Sequence, residues 1–459
     1  MGTTPHPDTA RDPFEQTHQK VGELIVWFDT DAHTLEHEAF ETQLHGRVIE
    51  LARLGYQEPL DQRFERERRA PREHPRPALP TRPRTRSLET IFGRVTVRRM
   101  ALQSATASTC EAARRALPRR SRLRGTEHAA TMPADARLAL PTQLHSAPLR
   151  EIAVRHVAGH SIDKACEQID RSTAGHLPHR QLLGLVQCVA QDVEAFYAQR
   201  TAGPGGAAEG DLQVMSVDAK GVRMRPEGLR EPTRKRAEAQ NKRVRASLEQ
   251  DQKTRIAEMF AEAQVRDPTH ARPWVVLVDG CASQLAQVRA KAEELGVLVT
   301  VIVDVIHVLH YLWTLGGLLS AANDGARDLW VREHLMRLMT RSADLVISGL
   351  RQSATLRGLQ GEERKSFDAA VGCLEGTRSC LDYGAYLRLG MPIATGVIEG
   401  ACRYLVQDRM NLTGARWGLQ GGEAVLKVRS VDLSGDWDEF WRFHLQREHE
   451  RNYVTKVAA

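Results

Sequence analysis

Residues 274–280 read WVVLVDG, five consecutive apolar residues closed by an acid and a glycine. A run this short, rich in valine and without polar alternation, predicts a strand covered on both faces, as in a parallel sheet. Two other stretches repeat the design. DLQVMSVDAKG (211–221) and LVTVIVD (298–304) are apolar runs that reach an aspartate, and helical spacing occupies 283–295 and 307–319. Strand, helix, strand, helix predicts an α/β arrangement with parallel strands. Asp218, Asp279 and Asp304 then stand at the carboxyl ends of the strands, where open parallel sheets gather ligands and catalytic groups. One such aspartate is ordinarily a turn or helix-capping residue. Three in one region suit Mg²⁺ or Mn²⁺, hard cations that take carboxylate oxygens. Two such ions about 4 Å apart can drive displacement at a phosphodiester.

Moving toward the N-terminus, the composition changes. Between residues 82 and 124 stand twelve arginines, Arg98, Arg99, Arg119 and Arg120 among them, against only Glu89 and Glu111. Such a run is either a solvated segment or a contact for a phosphate backbone. Within it IFGRVTV (91–97) alternates like a short strand, and the prolines at 71–83 predict a linker. Residues 21–53 carry helical spacing. Three more helices are predicted at 146–157, 161–169 and from 179 onward, with Ser161 as an N-cap and a tight break at Ala158-Gly159-His160, as in a helix-turn-helix unit. GPGG at 203–206 marks a boundary. The expected organisation is a helical region over 1–70, an arginine-rich arm over 71–131, a helical DNA-binding domain over 132–202 and a catalytic domain over 203–459, with a helical insertion at about 320–390.

The remaining composition excludes several classes. The 459 residues suffice for two to three domains. A net charge of +6 points to a polyanion only where the arginines concentrate. Seven cysteines, with no C-x-x-C pair, argue against a disulfide scaffold or a zinc site and fit a reducing compartment. The first 20 residues are polar, without a secretory signal. The most apolar stretch, 297–319, is interrupted by Asp304, His307 and His310, so no membrane span is expected. The expectation is a cytoplasmic protein.

Four segments together resemble a known family. VDAKGV, VVLVDG, DVIHVLHYLW and PIATGVIEGACRYLVQDRMNLTGARWG, in this order and spacing, resemble the ISKra-type insertion-sequence transposases of bacteria, relatives of the Mutator-like DDE transposases. The resemblance covers most of 130–450, including LPTQLHSAPLREIA and GDWDEFWRFHLQREHERNY. It implies an α/β ribonuclease-H-like catalytic core with an all-α insertion, preceded by a mainly helical DNA-binding region. It implies Asp218, Asp279 and Glu399 as the ligands of Mg²⁺ (or Mn²⁺), with Asp304 and His307 as an auxiliary D-x-x-H motif. It also implies double-stranded DNA as partner, both transposon ends and target, and a homodimer that brings two ends together. In such a sheet the first strand lies between the second and fourth, with the fifth beyond the fourth. Strands about 4.8 Å apart let Asp218 and Asp279 share a metal, with Asp304 one strand further out. Lys220, Arg403, Arg409 and Arg416 join the arm's Arg98, Arg99, Arg119 and Arg120 as expected DNA contacts.

Several residues keep a second reading. Glu399 falls in the first turn of a helix, where the macrodipole favours an acid in any case; Arg403, four residues on, shares its face. Asp304 either caps a helix or serves the chemistry, and His307 either donates to a phosphate or satisfies a turn. His310 and Trp313 read as packing. Trp313 and Trp330 read as core, with stacking on a flipped base as the alternative. One interval departs from the family pattern: after Val222 no strand-like run appears before an amphipathic helix at 246–265. Strands two and three are therefore expected to be missing, as if a block had been deleted between Glu238 and Lys242, leaving strand one as an edge. The text of 104–131 suits a shifted reading frame. Two rivals follow: a degraded copy that binds DNA without cutting it, and a generic metal-dependent nuclease of the same fold.

Overall fold

The computed structural model describes residues 12–69, 79–80, 83–103, 132–200, 211–217, 221–229, a few positions between 231 and 246, 252–320 and 323–454. Asp218, Lys220, Arg119 and Arg120 lie outside the described residues, as do 104–131 and 239–244. The chain divides into two compact units, Met1–Phe196 with Ala424–Ala459, and Tyr197–Glu423.

The first unit opens with two helices, α1 (Glu15–Asp29) and α2 (His37–Arg69). The spacing over 21–53 is thus helical in two pieces, and α2 continues well past the predicted end. Trp27 is buried, stacks on Phe40 at 5.6 Å and receives the Arg47 guanidinium at 4.6 Å, which fixes the corner between the helices. An antiparallel hairpin follows, β1 (Arg84–Thr90) and β2 (Gly93–Arg99), turning at Ile91-Phe92. The sequence predicts one strand at 91–97 and reads the preceding residues as arm; the structure starts that strand at Gly93 and pairs it with the arm. Arginine hid the alternation, because the face that buries Leu88, Val95 and Val97 against Leu60 and Leu140 also carries Arg86 and Arg99. Arg86 reaches the Pro141 carbonyl at 2.6 Å, and Arg99 is buried against the Asp135 carboxylate. Arg99 is therefore a structural cation rather than a presented one, against the expectation.

Helices α3 (Ala147–Gly159), α4 (Ile162–Ser172) and α5 (His179–Ala190) match the three predicted. The Ser161 hydroxyl accepts from the Lys164 amide, so the predicted cap is real, and Ser146 forms a second cap by accepting from the Leu149 amide. The closing helix Trp437–His449 packs on this group. Arg150, buried, forks onto both oxygens of Glu448 at 2.7 Å. Asp192 receives His444 Nδ1 at 2.7 Å and the Arg451 guanidinium at 2.5 and 2.9 Å. Burial alone would raise the Asp192 carboxyl; the bonds from His444 and Arg451 outweigh it and hold the carboxyl below its usual range.

The second unit holds the sheet. Strands β3 (Gln213–Ser216), β4 (Trp274–Val278) and β5 (Val299–Val303) run parallel in the order β3-β4-β5, with Ser216 opposite Leu277 and Leu277 opposite Ile302. Every residue of β4 is buried, as its unbroken apolar run requires. One cover is α6 (Gln252–Arg266), whose Ile256, Phe260 and Ala263 recur at helical spacing and are buried, Phe260 against Trp274 at 6.1 Å. Helix α7 (Ala282–Leu295) links β4 to β5, and α8 (Val305–Leu319) leaves β5. The expected helical insertion contains α9 (Asp324–Thr340), α10 (Ala343–Arg357) and α11 (Gly361–Gly376). Among the described residues β3 has no partner on its outer edge, as expected. The interval after Val222 is nevertheless not empty of strand. Val222–Arg223 pairs antiparallel with Arg245–Ala246, and its neighbour Met224 bridges to Trp417. Two-residue strands carry too little alternation to show in a sequence. The whole is mainly helical with one small parallel sheet and a hairpin, and no helix among the described residues is long and apolar enough to cross a membrane.

The Asp192 cluster makes a direct prediction. Asp192→Asn should cost about 3–5 kcal/mol at pH 7, since it strips a buried pair of its charge. The depressed carboxyl contributes fully above about pH 4 and loses its contribution as pH falls below that. The gap between denaturant melts of the two proteins should therefore narrow as pH falls below about 4; a constant gap across pH would contradict the assignment.

Candidate functional site

The carboxyl end of the sheet opens into a cleft of about 260 Å³. Its walls include Val217, Asp279, Asp304, His307, His310 and Glu399, drawn from four separate segments. Of the residues singled out from the sequence, Asp279, Asp304, His307 and Glu399 are thus brought together, and Val217 is the residue immediately before Asp218. Among the described residues no three His, Cys, Asp or Glu side chains stand close enough together to hold a metal ion; Asp218 lies outside them.

Asp279 follows β4 directly. Gly280 adopts φ +87, a conformation that L side chains avoid, and a Cβ there would press within 3.3 Å of Val303. The chain turns at once, and the Asp279 carboxylate accepts the Cys281 amide at 2.8 Å. Gln284, on the first turns of α7 and only 3% exposed, ties two strand ends together. Its Oε1 accepts the Asp279 amide at 3.2 Å, and its Nε2 donates to the Val217 carbonyl at 3.0 Å. Ser216 adds a bond from its hydroxyl to the Leu277 carbonyl at 3.3 Å. A buried side-chain amide satisfied on both ends fixes register as well as proximity.

Asp304 is 1% exposed. Its amide donates to the Val278 carbonyl at 2.8 Å, one oxygen caps α8 by accepting the Ile306 amide at 2.9 Å, and the other accepts the Thr395 hydroxyl. The capping role left open by the sequence is therefore filled. Thr395 in turn begins α12 (Gly396–Ala401), the helix of Glu399, and the adjacent Val305 amide donates to the Ile393 carbonyl at 2.9 Å. Tyr383 closes this corner from below, donating to the Val303 carbonyl at 2.9 Å; burial pushes its phenol well above the usual range, and the nearby Asp304 charge adds to the shift.

Glu399 is exposed to the cleft in the first turn of α12. The helix continues as a π-type segment, Cys402–Gln407, in which the Asp408 amide reaches back five residues to the Arg403 carbonyl. Such wide turns are rare and concentrate at functional sites. Arg403 and Arg416 are exposed. Arg409 is not: it is 1% exposed, its guanidinium 4.8 Å from the Trp417 ring, which itself donates to the Met410 carbonyl. The expectation of Arg409 facing phosphate gives way to a packing role, because an indole face desolvates a guanidinium more cheaply than any other apolar surface. Trp313 is 41% exposed rather than core, and His310 lines the cleft rather than packing inside. Sequence reasoning assigned no polar tie to Gln284 or to Thr395, near which it began the Glu399 helix; only their positions after a strand-ending acid and before a helical acid could have flagged them.

No protein-family model matches the chain, and no curated protein matches it.

The Asp304–Thr395 bond is testable without any activity. Thr395→Val keeps the shape and removes the donor, leaving a buried carboxylate one bond short at a cost of about 1–3 kcal/mol. Amide exchange should accelerate in 396–410 and stay unchanged in β4; equal protection in 396–410 would remove Thr395 as the anchor of the Glu399 helix.

Proposed function

We propose that this chain is a DDE-type transposase that cleaves and joins DNA at the ends of an insertion sequence, on a ribonuclease-H-like core. The observation that carries the proposal is the convergence of Asp279, Glu399 and the end of β3 on one cleft at the carboxyl edge of a parallel sheet. The strand order β3-β4-β5 supports it, being that of the first, fourth and fifth strands of such a core. Asp218 stands two residues after Ser216 and Asp279 two residues after its register partner Leu277, so the two acids share a level in the sequence. The four family-like segments supply the rest.

Asp218, Asp279 and Glu399 would hold Mg²⁺ or Mn²⁺. The donor chemistry fits, since the described acids offer only hard oxygens and Asp279 has one oxygen engaged by an amide, with lone pairs to spare. When bound, the ions supply charge neutralisation and activation of the attacking oxygen in phosphodiester displacement. The protein's own groups do the remaining work. Gln284 keeps the strand ends level, and Asp304 through Thr395 keeps Glu399 over them. His307 and His310, exposed at the mouth, can donate to a phosphate oxygen. Arg403 and Arg416 offer charge to the DNA backbone. Water first opens the bond at the transposon end; the freed 3′-hydroxyl then attacks target DNA by the same in-line displacement, with two ends held by a homodimer.

The outer edge of β3, which has no strand partner among the described residues, favours a second reading, a remnant that binds DNA and no longer cuts it. Both are separated by one assay with duplexes from the inverted repeats flanking the gene. Wild type should nick and join these ends with Mg²⁺, while Asp279→Asn and Glu399→Gln should lower the rate by at least about a thousandfold and leave affinity within about twofold. Wild-type rates in the variants would remove the metal site; inert wild type with intact binding would establish the remnant; nicking without end preference or joining would indicate a plain nuclease.

A further inference from the structure

We infer that the β1–β2 hairpin is a DNA-reading ribbon, its outer face entering the major groove of a duplex. The inference rests on the proposed function only for the choice of polyanion. Alternation along β2 sends Val95 and Val97 inward and Arg94, Thr96 and Arg98 outward. On β1 Leu88 is buried and Thr85 and Ser87 are exposed on the outer face, where Glu89, opposite Arg94, is itself buried, so the face carries no apolar side chain. The side chains of Arg94 and Arg98 are 70% and 51% exposed. Arg98 is held loosely, with Asp61 3.8 Å away, whereas Arg94 donates through Nε to the largely buried Glu89 carboxylate at 2.5 Å while its side chain stays mostly in solvent. An exposed pair such as Arg98–Asp61 exchanges readily for a phosphate or a base edge.

The ribbon's edges are already engaged. Both backbone groups of Thr96 bond to the Gln57 side chain on α2, at 2.7 and 2.9 Å, and Glu89 exchanges backbone bonds with Leu144 and Ser146 at 2.7 and 2.8 Å. Addition of a partner strand is therefore blocked at these positions, and what remains is a rigid polar face. Two strands about 4.8 Å apart fit a major groove about 12 Å wide, and guanidinium and hydroxyl groups are the donors that groove reads. Beside the ribbon lies a hollow of about 320 Å³ floored by Phe64 and Leu138, in which Arg137 is paired with Glu67 at 3.0 Å and Arg63 and Arg66 offer charge to phosphates. Duplex RNA is disfavoured, because its major groove is too narrow for side chains to read.

The test uses the full-length protein in EDTA, so that cleavage plays no part, with a labelled random-sequence 30-base-pair DNA followed by anisotropy over a salt series. The double variant Arg94→Ala/Arg98→Ala should bind at least about tenfold more weakly and flatten the slope of log affinity against log salt by about 2. Thr96→Asp, which removes no existing ion pair, should weaken binding comparably while melting with wild type, and covers the case in which the double variant does not fold. Wild-type affinity and slope in Thr96→Asp and in a folded double variant would overturn the inference, as would duplex RNA bound as tightly as DNA or a wild type that binds no duplex. Loss of binding in these variants with cleavage unaffected by Asp279→Asn would sink the catalytic proposal and leave the ribbon standing.

Discussion

A strand paired on both edges and buried on both faces is the constraint from which this protein's second unit follows. Trp274–Val278 exposes nothing, so its neighbours in the sheet and its covering helices are obligatory. Its direction sets theirs: parallel pairing demands crossovers, and α7 supplies one between β4 and β5. Once the strand is laid down, Asp279 has no choice of place. It emerges where the apolar run ends, at the edge where water returns.

Polar groups then organise what the apolar run positions. A side chain that is buried and polar must be satisfied, and satisfaction requires particular partners at particular distances. Gln284 meets that demand by joining the ends of two strands; Asp304 meets it by joining a strand end, a helix start and the segment carrying Glu399. Neither needs to touch a substrate to matter. Glu399 sits on a short helix that widens into a π-type turn. Its anchorage comes from Asp304 and from the backbone bond between Val305 and Ile393.

What was legible in the sequence divides along the same line. Apolar runs and cap residues act locally, so the three parallel strands, the helices after them and the cap at Ser161 could be read directly. Asp279 and Asp304 could be gathered because strand-ending acids in a parallel sheet share an edge, whereas His307 and Glu399, both on helices, were joined to them only by the family resemblance. Cations were harder, because arginine serves in both water and core. The same residue type forms an exposed ribbon face at Arg98, a buried ion pair at Arg99 and a stack on indole at Arg409, and nothing in the local text tells these apart. The hairpin was half hidden for that reason. Long-range polar ties such as Thr395 to Asp304 span 91 residues and leave no periodicity to detect.

In the proposed site, carboxylates from separated strands and a distant helix hold one pair of cations. Anomalous scattering from Mn²⁺ in crystals of the full chain tests this. A peak is expected in the cleft within direct coordination distance of Asp218 and Asp279, with the Glu399 carboxylate turned toward it. A cleft without manganese at millimolar concentrations, or a peak that leaves all three acids out of reach, would contradict the proposed site.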